Sequence, residues 1–147
     1  KCYLCVCMRA VFSIVWLCAA MAPLQAAEFS GLARAQVERV IDGDTVKMRV
    51  AIWLEQEILI SVRLSGVDTP ELFRPKCEAE RALALEAKSF VEDFLQGGEA
   101  ELIDIEQGKY AGRVVARIEA DGEALGSALV AAGLGVRANK GNWCAGV

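Results

Sequence analysis

The sequence predicts an α+β fold: a five-stranded Greek-key barrel of the OB type with two to three helices. Three observations lead to this prediction. Short runs alternate apolar and polar residues, turn signals such as Asp-Gly separate them, and two segments change to a period of three and four residues. Five strands with an intervening helix suit a partly closed barrel, which protects the sheet edges. An open α+β sheet would give the same order of elements.

The first half of the chain is predicted to contain three strands. Residues 37–41 are rich in β-branched side chains and end at the turn signal Asp42-Gly43-Asp44, after which residues 45–52 resume as a strand. A second turn is predicted over residues 53–57. The third strand, residues 58–67, alternates cleanly. Its apolar side is predicted to hold Ile58, Ile60, Val62 and Leu64, and its polar side Ser61, Arg63 and Ser65.

A loop and a helix are predicted next. Pro70 and Pro75 interrupt regular structure, so residues 69–76 are expected to form a loop. From residue 78 onward, apolar residues recur at helical spacing, and Gly97-Gly98 is expected to end that helix. The predicted apolar stripe consists of Ala79, Leu83, Ala87, Phe90 and Phe94.

Two strands and a short helix complete the predicted fold. The strands cover residues 99–105 and 112–120 and are separated by a polar stretch. Asp121-Gly122 is a turn signal, and residues 123–132 read as a short helix that ends at Gly133.

The N-terminal 27 residues are predicted to be a leader and not part of the fold. Met8-Arg9 supplies a start and a positive charge, and an apolar run follows over residues 10–22, which is typical of an export signal. Residues 1–7 are assigned to sequence upstream of that leader. The protein is therefore expected to be secreted or periplasmic, with one domain at residues 28–147. The alternative is a membrane anchor, because the charge-free stretch of 18 residues over 10–27 is marginal for a membrane span.

Composition excludes several kinds of function. The chain has no histidine, so a Ser-His-Asp triad, a Cys-His pair and an imidazole metal site are all excluded. Residues 28–147 contain 14 basic and 20 acidic residues, which gives a net charge of −6. This sign is wrong for a protein that coats nucleic acid. A polyanion could be bound only through a local basic cluster or a bound cation.

Two cysteines, Cys77 and Cys144, follow the leader. An even pair in an exported protein favours one disulfide, which would close a long loop onto the C-terminus. Two free buried thiols are the alternative.

Three polar segments could carry chemistry. They are residues 42–45 at the first turn, residues 63–71 at the end of the third strand, and residues 109–113 at the start of the last strand. Each has an ordinary structural explanation: a hairpin turn, a solvated strand end and a surface arginine.

Together, the three segments supply what phosphodiester hydrolysis requires. Asp44 and Asp68 offer oxygen ligands for a hard cation, which would bridge a phosphate oxygen. The carboxylate of Glu71 could orient or deprotonate a water molecule. Arg63 and Arg113 could form bidentate hydrogen bonds to the transition state, where negative charge is greatest.

Four segments, in this order, resemble the staphylococcal nuclease (thermonuclease) family: V-I-D-G-D-T at 40–45, V-R-L-S-G-V-D-T-P-E at 62–71, K-Y-A-G-R at 109–113 and A-D-G-E-A-L-G-S-A-L-V-A-A-G-L at 120–134. The resemblance covers residues 37–134, the expected core of the domain. It implies an OB-fold that uses Ca²⁺, hydrolyses DNA and RNA, and leaves 3′-phosphates.

The resemblance also implies a role for each candidate residue. The expected calcium ligands are Asp44, Asp68 and the backbone carbonyl of Thr69. The expected catalytic residues are Arg63, Glu71 and Arg113. Lys109 and Tyr110 are expected to contact a nucleotide phosphate, and Asp42 to support the metal site. Glu71 is assigned to water activation in the broad sense.

The chain departs from the family pattern in several places. Ala111 is an extra residue between Tyr110 and Gly112, and Asn139 stands where the family has a nucleotide-contacting tyrosine. The loop after Glu71 is shorter, and the net charge is acidic. These differences concern affinity and substrate preference and leave the five central side chains in place.

Two other functions stay open: a catalytically inert nucleic-acid-binding barrel and an inert structural or oligosaccharide-binding module. An inert nucleic-acid binder is expected to be basic and to have lost the metal aspartates or the arginines. An oligosaccharide-binding barrel is expected to show aromatic residues clustered on its sheet. The sequence favours a monomeric, exported, calcium-dependent endonuclease with nucleic acid as its substrate and no stable protein partner.

Overall fold

The computed structural model describes residues 28–137 and 141–144, which form eight strands and two helices. The strands are β1 (Glu28–Asp42), β2 (Thr45–Trp53), β3 (Gln56–Leu64), β4 (Val67–Asp68), β5 (Glu99–Gln107), β6 (Arg113–Ala120), β7 (Glu123–Ala124) and β8 (Val136–Arg137). The helices are α1 (Glu78–Phe94) and α2 (Leu125–Ala131). The predicted leader, residues 1–27, and Asn139 lie outside the described residues.

Five of the strands form a closed barrel. They are hydrogen-bonded in the order β3-β2-β1-β5-β6, and a parallel pairing of β3 with β6 completes the circle. In that pairing Ser61 lies opposite Arg113 and Arg63 opposite Val115. The prediction of a five-stranded OB barrel with accompanying helices is therefore confirmed, and the open-sheet alternative is wrong.

The first strand is much longer than the predicted residues 37–41. It pairs with β2 on one side and β5 on the other, and register shifts interrupt both ladders. Such irregularities bend a strand and increase its twist, which allows one strand to serve two neighbours in a small barrel. The two sides of the turn at Gly43 and Asp44 are held by the Asp42–Thr45 pair.

The barrel interior is filled by side chains from all five strands. Fully buried residues include Val46, Met48, Val62, Leu102 and Ile118. Leu125 and Leu129 of α2 and Ala87 and Val91 of α1 join the same core. Burial of a Val, Leu, Ile or Met side chain contributes about 1.5–3 kcal/mol, so this cluster is the main stabilising feature of the domain.

The predicted apolar stripe of α1 is only partly correct. The fully buried residues of the helix are Glu80, Ala84, Ala87 and Val91. The predicted residues Leu83, Phe90 and Phe94 are only half-buried and pack against the edge of the core. A helix face that packs on a core is about 100° wide, so apolar spacing locates the face but not its centre. The stripe omitted Glu80 because that residue is charged.

Three short strands were not predicted. The third strand was predicted to extend to residue 67, but a turn at Ser65-Gly66 ends it, and residues 67 and 68 form β4, which pairs with β8. Residues 123 and 124 were predicted as helix but pair with β6 as β7, so α2 begins at Leu125. A strand of two residues is too short to show the alternation of apolar and polar residues by which strands are predicted.

The β2–β3 hairpin extends past the barrel. Ile58 was predicted to lie on the apolar side of β3 with Val62 and Leu64, but it is 39% exposed. The alternation holds for Val62 and Leu64, which are buried, because that half of β3 lies over the core. At the hairpin tip the exposed apolar residues are Ile52, Trp53, Leu54 and Leu59.

A disulfide joins Cys77 to Cys144. It links the start of α1 to the C-terminal segment, whose residues 141–144 are described. None of the described helices combines the length and apolar character needed to cross a membrane.

Candidate functional site

The turn between β1 and β2 places a buried carboxylate at one end of the barrel. The Asp42 carboxylate accepts the backbone N–H of Asp44 at 3.1 Å, which holds the turn in shape. Asp44 itself is only 6% exposed, and its Oδ1 accepts the Thr45 hydroxyl at 2.9 Å. The turn needs the side chain of Asp42, which accepts this hydrogen bond. It does not need the side chain of Asp44, so the burial of that carboxylate must have another cause.

Gly43 explains how the turn approaches its neighbours so closely. A Cβ atom added at this position would lie 2.8 Å from the Thr69 Oγ1 and 2.9 Å from the Cβ of Ala87 on α1. Distances this short require the neighbours to shift. The absence of a side chain at residue 43 therefore allows the turn, the loop after β4 and α1 to meet at one point.

Arg63 brings two carboxylates together. It lies opposite Thr45 in the β2–β3 ladder, on the outward face of β3. Its Nη1 donates to Asp44 Oδ1 at 2.7 Å, and its Nη2 donates to Asp68 Oδ1 at 3.4 Å. The Arg63 side chain is 36% exposed, so it remains accessible from solvent. Asp44 and Asp68 thus converge on a single cationic group.

Burial changes the acidity of Asp44. Desolvation raises the pKa of this carboxyl from its ordinary 3.8 to about 6, although the nearby Arg63 guanidinium acts in the opposite direction. The neighbouring Asp42 carboxylate adds to the increase. A carboxylate whose ionisation is opposed by burial gains most from a further positive charge beside it.

Asp68 and Thr69 are positioned by a pairing at the other side of the site. Asp68 pairs with Val136 in the β4–β8 ladder, and Thr69 is buried directly after it. The site therefore takes Arg63 from the end of β3, Asp44 from the turn before β2 and Asp68 from β4, which pairs with β8 near the C-terminus.

Glu71 lies exposed on the loop between β4 and α1. Its Oε1 accepts the backbone N–H of Phe73 at 3.2 Å, which fixes the carboxylate within its own loop. Its backbone N–H is held by a residue that the sequence analysis missed. The Glu71 N–H donates to Glu80 Oε1 at 3.4 Å, and the Lys76 N–H donates to Glu80 Oε2 at 2.6 Å.

Glu80 had a detectable signal in the sequence. It is the third residue of α1, and the Sγ of the N-cap residue Cys77 accepts its backbone N–H at 3.4 Å. A polar cap followed three residues later by glutamate is the pattern of a capping box. Cysteine in place of serine or threonine hid that pattern.

Arg113 lies on the same face as Arg63 but has a different local contact. Residues in register on parallel strands point to the same side, so Arg113, opposite Ser61, is two positions or about 7 Å along the strand from Arg63. Its guanidinium carbon is 5.7 Å from the centre of the Tyr110 ring. Among the side chains described within residues 31–137 and 141–144, no carboxylate forms an ion pair with Arg113.

The extra residue Ala111 is accommodated in a tight turn. The Arg113 N–H donates to the Tyr110 carbonyl at 3.2 Å, and Gly112 adopts a positive φ of 75° within that turn. Lys109 and Tyr110 are both exposed, and the Lys109 Nζ is 5.7 Å from the Tyr110 ring centre. The Tyr110 ring therefore lies close to both Lys109 and Arg113.

The two aspartates match the ligand preference of a calcium ion, although they do not make a complete cage. Hard cations such as Ca²⁺ take six to eight oxygen ligands, and the carboxylates of Asp44 and Asp68 are ligands of that type. In the described part of the chain, no three Asp, Glu, Cys or His side chains are grouped so as to hold a metal ion. Two carboxylates, the Thr69 carbonyl and water would have to form the shell.

Comparison with known proteins adds one positive finding. A family model described as staphylococcal nuclease homologue matches residues 61–143, more than half of the chain. The matched region contains Arg63, Asp68, Glu71 and Arg113, and it starts after Asp44. No curated protein matches the chain at a significant level.

Proposed function

Because this chain belongs to the staphylococcal nuclease homologues, we propose that it is a calcium-dependent endonuclease that hydrolyses the phosphodiester bonds of DNA and RNA. The observation that carries the proposal is the convergence of Asp44 and Asp68 on Arg63, at 2.7 Å and 3.4 Å. The loop that bears Glu71 begins directly after them. An anion-binding group, two metal-type oxygen ligands and a free carboxylate are thereby concentrated at one end of the barrel.

Asp44, Asp68 and the Thr69 carbonyl would hold the calcium ion. When bound, the ion supplies positive charge that polarises a phosphoryl oxygen and offsets the repulsion between an acidic protein and its substrate. Asp42 contributes by fixing the Asp44 backbone through the hydrogen bond at 3.1 Å. The acidic composition is then compatible with a polyanionic substrate.

Glu71 would position a water molecule for attack on phosphorus and accept its proton. The exposure of this residue leaves its second carboxylate oxygen accessible, while Oε1 is anchored by the Phe73 N–H. A group in this role contributes about 10²–10⁴-fold to rate.

The two arginines would stabilise the charge that develops on the phosphoryl oxygens. An arginine has five N–H donors in a rigid fork, and Arg63 uses two nitrogens for the aspartates, so donors remain for phosphate. Arg113 reaches the same face from β6, with Lys109 and Tyr110 beside it as contacts for a neighbouring nucleotide.

We further propose that the enzyme is exported as a monomer and leaves 3′-phosphate ends. Export is supported by the apolar N-terminal segment and by the Cys77–Cys144 disulfide, since disulfides persist in oxidising compartments. A disulfide in the cytosol would be unusual for a protein of this kind.

The proposal is tested by incubating the full chain with single-stranded DNA and with RNA in calcium buffer and analysing the product ends. Internal cleavage that leaves 3′-phosphates is expected. A folded protein that leaves both substrates intact would contradict the proposal and favour the inert barrel.

Replacement of Arg63 by lysine is expected to reduce kcat by about 10²–10³-fold, the usual cost of removing a preorganised donor to the transition state. Lysine keeps the charge but loses the fork that contacts Asp44 and phosphate together. The matched control is Arg34→Lys, an exposed arginine on β1 away from the site. Equal activity of the two variants would remove Arg63 from the catalytic group.

A further inference from the structure

Glu80 is a buried acidic residue whose described hydrogen-bond partners all lie outside the barrel strands. It is 3% exposed, lies in the first turn of α1, and shares the buried line of that helix with Ala84, Ala87 and Val91. A carboxylate in this position is costly unless both oxygens are hydrogen-bonded. Both are, and both partners belong to one loop.

The hydrogen bonds of Glu80 reach further than helix capping requires. A glutamate at the third position of a helix ordinarily bonds the N–H of the N-cap residue. Here Oε2 instead accepts the N–H of Lys76, one residue before the cap, and Oε1 accepts the N–H of Glu71. The Glu80 side chain is therefore hydrogen-bonded to two backbone N–H groups of the loop that are five residues apart in sequence.

The loop over residues 69–77 has little regular structure of its own to hold it in place. Residues 69–77 contain no helix or strand, and the loop is exposed at Glu71, Phe73, Arg74 and Lys76. Its start is fixed by the buried Thr69 and its end by the disulfide at Cys77. Between these ends, the Glu80 carboxylate supplies the described side-chain hydrogen bonds that join the loop to the rigid helix.

We propose that Glu80 is a positioning residue that holds the backbone of Glu71 at a defined distance from Asp68 and Arg63. This inference rests on the proposed nuclease function. Reacting groups must be held within a fraction of an ångström, and a displacement of 1 Å can cost about 10²-fold in rate. Glu80 acts through Glu71 and touches no substrate, so its loss changes kcat and leaves KM unchanged.

The test is Glu80→Gln in the full chain, assayed on single-stranded DNA well below the Tm. Glutamine keeps the shape but turns an NH₂ group toward one of the two backbone N–H donors, which breaks one tie. The expected result is a 10- to 100-fold lower kcat with KM within twofold of the wild type. Glu78→Gln is the matched control, since Glu78 lies in the same turn and is exposed. If Glu80→Gln does not fold, Glu80→Asp replaces it, because aspartate keeps the carboxylate and shortens its reach.

A double-mutant cycle separates positioning from a merely structural role. In a Glu71→Gln background, Glu80→Gln is expected to have almost no further effect on kcat, because the group that it positions is already disabled. Leu129→Ala, which removes a buried core side chain of α2, serves as a control for lost stability.

Three outcomes would overturn the inference: an unchanged kcat, an equal loss in the Glu71→Gln background, or the same loss in Leu129→Ala. In each of them the wild type still cleaves, so the proposed function survives. An inactive wild-type protein would contradict both the proposed function and the positioning role. The activity of the wild type therefore distinguishes failure of the proposed function from failure of the positioning role alone.

Discussion

Glu71→Gln is expected to lower kcat by about 10²–10⁴-fold while the fold and the Tm stay close to those of the wild type. The side chain is exposed on the loop, and its described hydrogen bond is the one accepted from the Phe73 N–H at 3.2 Å. The amide oxygen of glutamine can accept the same bond, so the loop keeps its contact. What is lost is the ability to take a proton from water.

The measurement is a pair of initial rates on single-stranded DNA at saturating calcium, with circular dichroism to confirm equal folding. Glu86→Gln is the control, because Glu86 is an exposed glutamate of α1 with no described hydrogen bond. A loss of less than about tenfold in Glu71→Gln would show that water activation depends on another group.

Removal of the Cys77–Cys144 disulfide is expected to lower the free energy of unfolding by about 4 kcal/mol, because the bond closes a loop with a sequence separation of 67 residues. The main effect comes from the unfolded chain, which gains freedom when the cross-link is absent. Substitution of both cysteines by serine isolates this effect. Serine is a favoured N-cap residue and can replace the Cys77 Sγ as the acceptor for the Glu80 N–H.

Urea unfolding of the wild type and of the double serine variant gives the difference directly. Reductant is expected to destabilise the wild type by a similar amount and to leave the serine variant unchanged. Rapid alkylation of both thiols in the native, unreduced protein would contradict the disulfide. A difference below about 1 kcal/mol would contradict the loop-closure account.

The order of the elements could be predicted because each signal is local. The alternation of Val62 and Leu64 with Arg63, the Asp-Gly turns and the glycines after α1 all act over a few residues. Barrel closure could not be predicted in the same way, since it depends on β3 meeting β6 about 50 residues later. The two-residue pairing of β4 with β8 could not be predicted either, since it joins residue 67 to 137 and residue 68 to 136, far apart in the chain.

The candidate site also contains residues that local motifs predict and residues that only the tertiary structure reveals. Motif order selected Asp44, Arg63 and Asp68, and the structure brings these three into direct contact. Arg113 shares their face but contacts Tyr110, and Glu71 lies on the adjoining loop. Glu80 was missed because a cysteine at the N-cap hid its capping pattern and because its hydrogen bonds to the loop are tertiary contacts. The leader, the calcium ion and the cellular location stay predictions.

The most direct test of the central claim is the rate of DNA cleavage by the full chain as a function of free calcium. We expect a saturable dependence, no cleavage in excess chelator and full recovery when calcium is restored. Asp68→Asn should require much more calcium, because it removes one carboxylate from the two that converge on Arg63. Undiminished cleavage in chelator, or none by the folded protein at any calcium concentration, would contradict the account.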